Sequence, residues 1–529
     1  MDEPRDDRIR DVVRHAHETD PEHVDFDVEA GLAEVLERVD PGIPSGPRVS
    51  PATADNTIFL CAACHMDEDF ADAAAREFLV EPYRAVPPEV AVDSPTVLRE
   101  VAAVQGRRWI RDGLLIVLMA AAVVLVPWQA LVAWLILGAV VGSVAAQPRR
   151  RVAFGAVGLA GIAALYLARD SLWPVDRWFV LPPLVALMLA VVLTDEIVTH
   201  RRLQWVTWGK RSLPRVRPMP WLLPAAEAAI TRPPSLPPDG PAAAVTVARG
   251  RRLFVGAGEP REPWYDLFPL GPEPELTVTD LHDQVRARMT PVGDLRIAER
   301  VIVDAEGLID DLAAPYAVDF LRWPDTRPEE WLQPERVREL QTHPLEWARH
   351  YTQFQLTTGS GMVVSSFVHM RVHTGHLYVE WRPFVLRPVN GSYRGVRTLS
   401  RSPLRPVGQG LLDLVTLPVT APRRVRRVAS LSGKPRSPHP DAYGAGASLR
   451  ELAAGDDTRN DFQLADEERC LRLLENRFAT ALTGVLRDHG FSSVVAADEI
   501  TAVRSRRVAD RQEHGKDRGF RTDVVAHQQ

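Results

Sequence analysis

The chain has 529 residues, with 63 Lys and Arg against 69 Asp and Glu and a formal net charge of −6. A pI near 6.2 argues against nucleic acid as a main partner. Three cysteines, Cys61, Cys64 and Cys470, are too few for a disulfide-stapled ectodomain. From Gly113 to Pro148 no residue is charged, a run of 36 positions. As a helix it would extend about 54 Å against roughly 30 Å of hydrocarbon, which excludes an all-soluble reading.

In chain order, residues 1–100 read as a small helical domain, opened by 46 residues with 14 Asp or Glu against 5 Arg. Arg5–Thr19 reads as a polar helix and Val28–Val39 as an amphipathic one. A longer helix begins near Ala62 or Met66, and another starts at Ser94-Pro95, with Ser94 as cap and Pro95 in the first turn. No basic-then-apolar leader is present at the N-terminus.

Residues 101–202 read as the membrane unit, with spans near 113–127, 129–147, 152–168 and 179–197. The uncharged run divides at Pro127-Trp128-Gln129 into a hairpin; a single span with an interfacial extension and a re-entrant hairpin are the alternatives. Gly155, Gly158 and Gly161 place small residues on one face of the third span, where self-association is an expectation. Asp195 and Glu196 are placed at the fourth boundary because buried acids are costly. Arg107, Arg108 and Arg111, then Arg149 to Arg151, then Arg201, Arg202 and Lys210 fall on one side if four spans exist. That side should be cytoplasmic, with both termini, in the inner (plasma) membrane.

Residues 203–242 are a proline-rich linker and 243–420 a mixed α/β domain. Val245–Ala248, Arg252–Val255 and Glu299–Val303 are strand candidates; Asp280 caps a helix ending near Met289; helix signals recur at 336–341 and 345–351. The strongest β signal is a long hairpin over 362–386, turning at His373-Thr374-Gly375 and needing further strands behind it. Leu411–Val419 is too short to span and reads as membrane-apposed, next to a basic flexible linker over 421–460. Leu464–His489 gives an amphipathic helix within 461–490, and 491–529 a polar tail expected to be largely disordered. The expected fold class is therefore an α-helical four-span membrane unit with a small cytoplasmic helical N-terminal domain and a cytoplasmic α+β C-terminal domain.

Cys61-Ala62-Ala63-Cys64-His65 has the spacing of a haem-attachment motif, of a redox CxxC or of half a zinc site. Its cytoplasmic placement argues against haem, and no second CxxC completes a zinc site, so buried structural thiols are the favoured reading. Gly256-Ala257-Gly258 could form an anion nest, but Glu259 and Pro260 spoil a phosphate site there. No P-loop, serine elbow, HExxH or Rossmann fingerprint occurs. No catalytic, cofactor-binding or metal-binding residue is assigned and no cofactor is expected.

Phe59-Leu60-Cys61-Ala62-Ala63-Cys64-His65, Phe78 to Val86, Arg107 to Asp112, His373 to Trp381, Val385 to Val389 and Leu471 to Arg477 together resemble a group of uncharacterised actinobacterial multi-pass membrane proteins. The resemblance implies architecture and carries no activity. The functional expectation is a membrane-tethered cytoplasmic interaction or sensing module, its partners the lipid bilayer and an unidentified cytoplasmic protein. The competing expectation is a membrane-anchored enzyme with a cleft in the 243–420 domain, where His369, His373, Glu380 or Asp266 would act.

Overall fold

The longest alternating stretch of the sequence forms the middle of an eight-stranded mixed sheet. The computed structural model describes residues 51–81, 83–126, 128–145, 181–207, 242–270, 276–289, 295–322, 326–358, 361–396, 405–431, 439–455 and 461–491. Five helices come first: α1 (Pro51–Met66), α2 (Glu68–Phe78), α3 (Ser94–Leu125), α4 (Trp128–Ala145) and α5 (Leu181–Thr207). There follow β1 (Ala243–Ala248), β2 (Glu259–Pro260), β3 (Trp264–Pro269), α6 (Val278–Met289), β4 (Arg296–Asp304), α7 (Ala305–Asp310), β5 (Trp331–Leu332), α8 (Pro334–Thr342), β6 (Ala348–Thr357), β7 (Val363–His373) and β8 (His376–Leu386). Then come α9 (Gly391–Arg394), α10 (Arg405–Leu431), α11 (Pro440–Tyr443), α12 (Leu449–Leu452) and α13 (Asp461–Asp488).

The strand order is β2-β8-β7-β6-β4-β1-β5, with β3 also pairing β8. β1 and β4 are parallel and the other pairs antiparallel. The β7–β8 hairpin turns on Thr374 (φ 46°) and Gly375 (φ 76°), two residues with positive φ, the backbone that a two-residue turn needs to match strand twist. One face of the hairpin is covered by α6 and α13. Trp381 is 1% exposed and Phe478 is fully buried, with their rings 5.1 Å apart. Cys470, Leu474, Phe478, Leu482 and Val485 recur at helical spacing along α13 and join the same core. Thr277 starts α6, its hydroxyl oxygen accepting from the Asp280 amide at 3.1 Å.

The expected strand at Arg252–Val255 is a turn segment instead, and the expected helix at 345–351 is replaced by β6. β6 is hydrogen-bonded to a neighbour on each side and buried on both faces over most of its length. That burial erases the alternation by which strands are recognised, and pairing overrides the local helical preference.

Among the described residues no four-span helical unit is evident. Among the described residues one helix is long and apolar enough to cross a membrane, Pro182–Trp205 within α5, and little of its apolar stretch is buried. The apolar run after Gly113 is only the end of α3, whose earlier turns bury Arg108, Arg111 and Asp112. The apolar part of α4, Leu131–Gly142, falls short of a span. The third expected span and its glycine face, like the helices expected before residue 51, lie outside the described residues. Asp195, 6% exposed, stands well inside α5 rather than at its end. The C-terminal region is one eight-stranded mixed sheet with helices between its strands.

Asp195 is tolerated because α3 supplies its counter-charges. Arg111 Nη1 lies 2.8 Å from it and Arg107 Nε 2.6 Å. This pairing belongs to a buried ionic joint centred on Asp112, which is 0% exposed and meets Arg111 Nε at 2.9 Å, Arg424 Nη1 at 2.7 Å and Arg427 Nη1 at 2.9 Å. Arg427 also binds Glu68 and Asp72 of α2, at 2.7 and 3.1 Å. α10 therefore reads differently from the flexible linker expected after residue 421: it is a 27-residue helix with Pro418 and Pro422 inside it. It packs on α4 at Gly138, where a Cβ would lie 2.6 Å from the Val415 carbonyl oxygen, and Trp134 Nε1 donates to the Leu414 carbonyl at 3.2 Å.

The N-terminal helices are also bonded to the sheet region. Tyr393 donates to Asp67 at 2.6 Å, the Gly446 amide to Glu77 at 2.6 Å and the Leu449 amide to Glu89 at 2.6 Å. Cys61 and Cys64 are 0% exposed in the core between α1 and α3, and Cys64 Sγ donates to the Leu60 carbonyl. Burial pushes both thiols up, away from thiolate reactivity. His65 Nε2 lies 2.7 Å from Glu100. Maleimide is expected to leave Cys61 and Cys64 unmodified in the folded chain and to label both after denaturation; replacing both by Ala should cost about 1–2 kcal/mol. Mass spectrometry and thermal unfolding read the two outcomes.

Candidate functional site

Period-two geometry sorts the hairpin side chains onto two faces. Opposite the α6–α13 core, the second face carries His369, Arg371 and His373 of β7 beside His376, Tyr378 and Glu380 of β8, with Arg349 and Tyr351 from β6. His369 stands directly across from Glu380, Arg371 from Tyr378 and His373 from His376. These strands and the Pro344–Glu346 segment enclose an open cleft of ≈ 700 Å³ lined in part by Arg349, His369, Arg371, His373 and Tyr378. That volume suits a small ligand.

Glu380 is 1% exposed, ion-paired to Arg382 and 3.9 Å from Arg349. The carboxylate is thus a buried anchor for two arginines below the cleft. His369 Nδ1 lies 2.9 Å from the His350 carbonyl oxygen. A carbonyl only accepts, so the Nδ1 proton is used there and Nε2 is the acceptor of the neutral ring. Burial holds His369 down at about 4, despite the raising effects of that bond and of Glu380. A neutral imidazole at pH 7 can therefore accept a hydrogen bond, but it is a weak base. Burial, then the Glu380 charge, pushes Tyr351 and Tyr378 up, so both keep their phenol protons.

The four sequence candidates separate. His369 and Glu380 meet across the hairpin, and His373 lies at its exposed tip opposite His376. Asp266 is on β3 opposite Val379, and its Oδ1 accepts from the neighbouring Leu267 amide at 2.9 Å. It satisfies an edge-strand donor and so blunts that edge against further pairing. No group of three or more His, Cys, Asp or Glu among the described residues could hold a metal.

Sequence reasoning missed a second polar cluster under the opposite face. His350 Nε2 lies 2.6 Å from Glu299, and Thr352 donates to the same carboxylate oxygen at 3.3 Å. With its single proton given to Glu299, Thr352 accepts from His282 Nδ1 at 3.0 Å. The cluster is enclosed, with His350 at 0% and His282 at 3% exposure, so it braces α6 on the sheet rather than meeting a ligand. The sequence signal was weak, because its members lie on three elements.

The Gly256-Ala257-Gly258 loop is an anion nest whose anion is internal. Gly256 (φ 90°) and Gly258 (φ 93°) aim their amides at Glu451, at 3.0 and 2.9 Å, and Ser448 adds a third at 2.8 Å. Glu451→Ala is expected to cost about 2–3 kcal/mol by orphaning these donors, with part recovered in Glu451→Gln, measured by denaturant unfolding.

No curated protein and no solved structure matches the chain. Residues 244–513, just over half of the sequence, match the AbeC-like domain, so that the hairpin, the cleft, the nest and α13 all fall inside it. The chain belongs to the AbeC-like domain family.

Proposed function

We infer that the chain is a membrane-tethered sensing or interaction module, whose AbeC-like region presents the cleft at the cytoplasmic surface of the inner membrane. The observation that carries this reading is the ionic joint. Arg111 of α3 ties Asp195 of the sparsely buried α5 to Asp112 and to Glu68 of α2, Arg424 and Arg427 of α10 close on the same Asp112, and α2 is bonded in turn to the sheet region. A ligand or protein held at the sheet would therefore be coupled mechanically to the apolar helices. Large apolar side chains exposed on these helices, among them Val117 and Val124 of α3 and Ile136 of α4, support a lipid partner.

The test uses the full chain. It is expected in the membrane fraction after an alkaline carbonate wash, with a C-terminal reporter active in the cytoplasm; release by the wash or a periplasmic reporter would overturn the tether. Turnover in an activity screen, abolished by His369→Ala with Glu380→Ala, would instead establish the enzyme reading.

A further inference from the structure

We propose that the cleft binds a small monocarboxylate that carries a hydrogen-bond donor next to its carboxyl group, a 2-hydroxy acid with a short aliphatic side chain. This deepens the sensing reading by naming the ligand class at the same site.

Charge sets the first requirement. Two guanidinium groups line the cleft, Arg349 and Arg371, against one lining carboxylate, Glu346. Glu380 lies beneath, shared by Arg382 and, at 3.9 Å, Arg349, so the added charges of Glu380 and Arg382 cancel and leave the balance unchanged. The lining cations exceed the lining anion by one, which fits a singly charged ligand better than a phosphate dianion. Guanidinium groups present paired donors that match the two oxygens of a carboxylate.

Hydrogen bonding sets the second. His369 has given its Nδ1 proton to the His350 carbonyl, so this wall of the cleft offers Nε2, an acceptor with no proton to give. An acceptor beside a pair of cations selects a ligand with a neutral hydroxyl donor close to its anionic group. A simple carboxylic acid satisfies the arginines and leaves the imidazole unmatched, a difference that polar sites convert into selectivity. Leu267, Pro344 and Leu345 complete the wall with apolar surface of a size for a branched aliphatic group. Leu267 is 58% exposed on β3, so a ligand covering it would remove apolar area from water.

The experiment is calorimetric titration of the detergent-solubilised full chain with three probes: 2-hydroxy-3-methylbutanoate, 3-methylbutanoate and 3-methylbutan-1-ol. The hydroxy acid is expected to bind at least tenfold more tightly than the acid without the hydroxyl, and the neutral alcohol not at all. Arg371→Ala, an exposed position that carries no fold, should weaken the hydroxy acid at least tenfold. His369→Leu should bring the two acids to within about threefold of each other. Absence of heat with the hydroxy acid at millimolar concentration, binding of the alcohol as tightly as the acids, or an unchanged affinity in Arg371→Ala would overturn the assignment. Membrane residency is scored on the same preparation before extraction. A membrane-resident chain that binds none of the probes fails this proposal alone, whereas a chain that binds the hydroxy acid but leaves the membrane in the carbonate wash fails the tether alone.

Discussion

Asp112→Asn is expected to destabilise the chain by about 3–5 kcal/mol, the cost of breaking a buried ion pair by removing one partner. Three guanidinium groups converge on this fully buried carboxylate, from Arg111, Arg424 and Arg427. An amide leaves those cations with fewer counter-charges and places an NH₂ where an acceptor stood. Glu68, Asp72 and Asp195 hold some of the same arginines, so the joint should loosen around α10 before the sheet is affected. Thermal unfolding of the solubilised chain measures the loss. Limited proteolysis should cut the variant first near the end of α10, and a melting temperature within a degree of the parent would refute the joint's structural weight.

Acidification from pH 7 toward pH 4 is expected to destabilise the sheet region by several kcal/mol. Burial holds His282 down at about 3 and His369 at about 4, whereas an unfolded imidazole titrates near 6.5. Between those values the unfolded chain binds protons that the folded chain refuses. Stability is therefore complete above about pH 6.5 and falls as pH drops, by about 1.4 kcal/mol per pH unit for each group. Burial alone would raise Glu299, but the hydrogen bond and charge of His350 outweigh it and hold it low. Its contribution is present above the ordinary carboxylate range and fades as pH falls through the folded value, in the same direction. Denaturant unfolding at pH 7.5, 6 and 5 checks the slope, and His282→Gln should flatten it by one proton's worth.

How much of this was legible in the sequence depended on whether a segment carries its own periodicity. The 362–386 hairpin is readable because Val363, Val364, Val368 and Val372 lead into the His373-Thr374-Gly375 turn, although both faces are buried over Val363–Met370, and α13 because its apolar residues recur at three and four. β6 was not readable, because Arg349, His350, Gln353 and Gln355 interrupt its apolar residues, and neither was α10, which the sequence reading divided between an apolar segment at 411–419 and a basic linker after 421. The four-span count failed for a related reason. The helix start at Ser94 and the apolar surface after Gly113 were both read, but not that one helix joins them and buries Arg111 and Asp112 in its middle. At the cleft, the types and spacing of His369 and Glu380 were visible, while the proton position on His369 depends on the carbonyl of a strand neighbour, His350. The Glu451 occupant of the glycine nest came from 193 residues further along, beyond any local signal.

The bonds between the N-terminal helices and the sheet region bear on how the AbeC-like stretch could be moved between proteins. An excised 244–513 segment would lose Asp67, Glu77 and Glu89, and with them the acceptors for Tyr393, Gly446 and Leu449. It would also strip the cover from Tyr393, Val396 and Leu449, which share a core with Leu60, Phe70 and Val101. A transplant that begins at residue 51 keeps every one of these partners. The packed unit is thus longer than the matched stretch, and its front edge is α1 and α2 rather than the first strand.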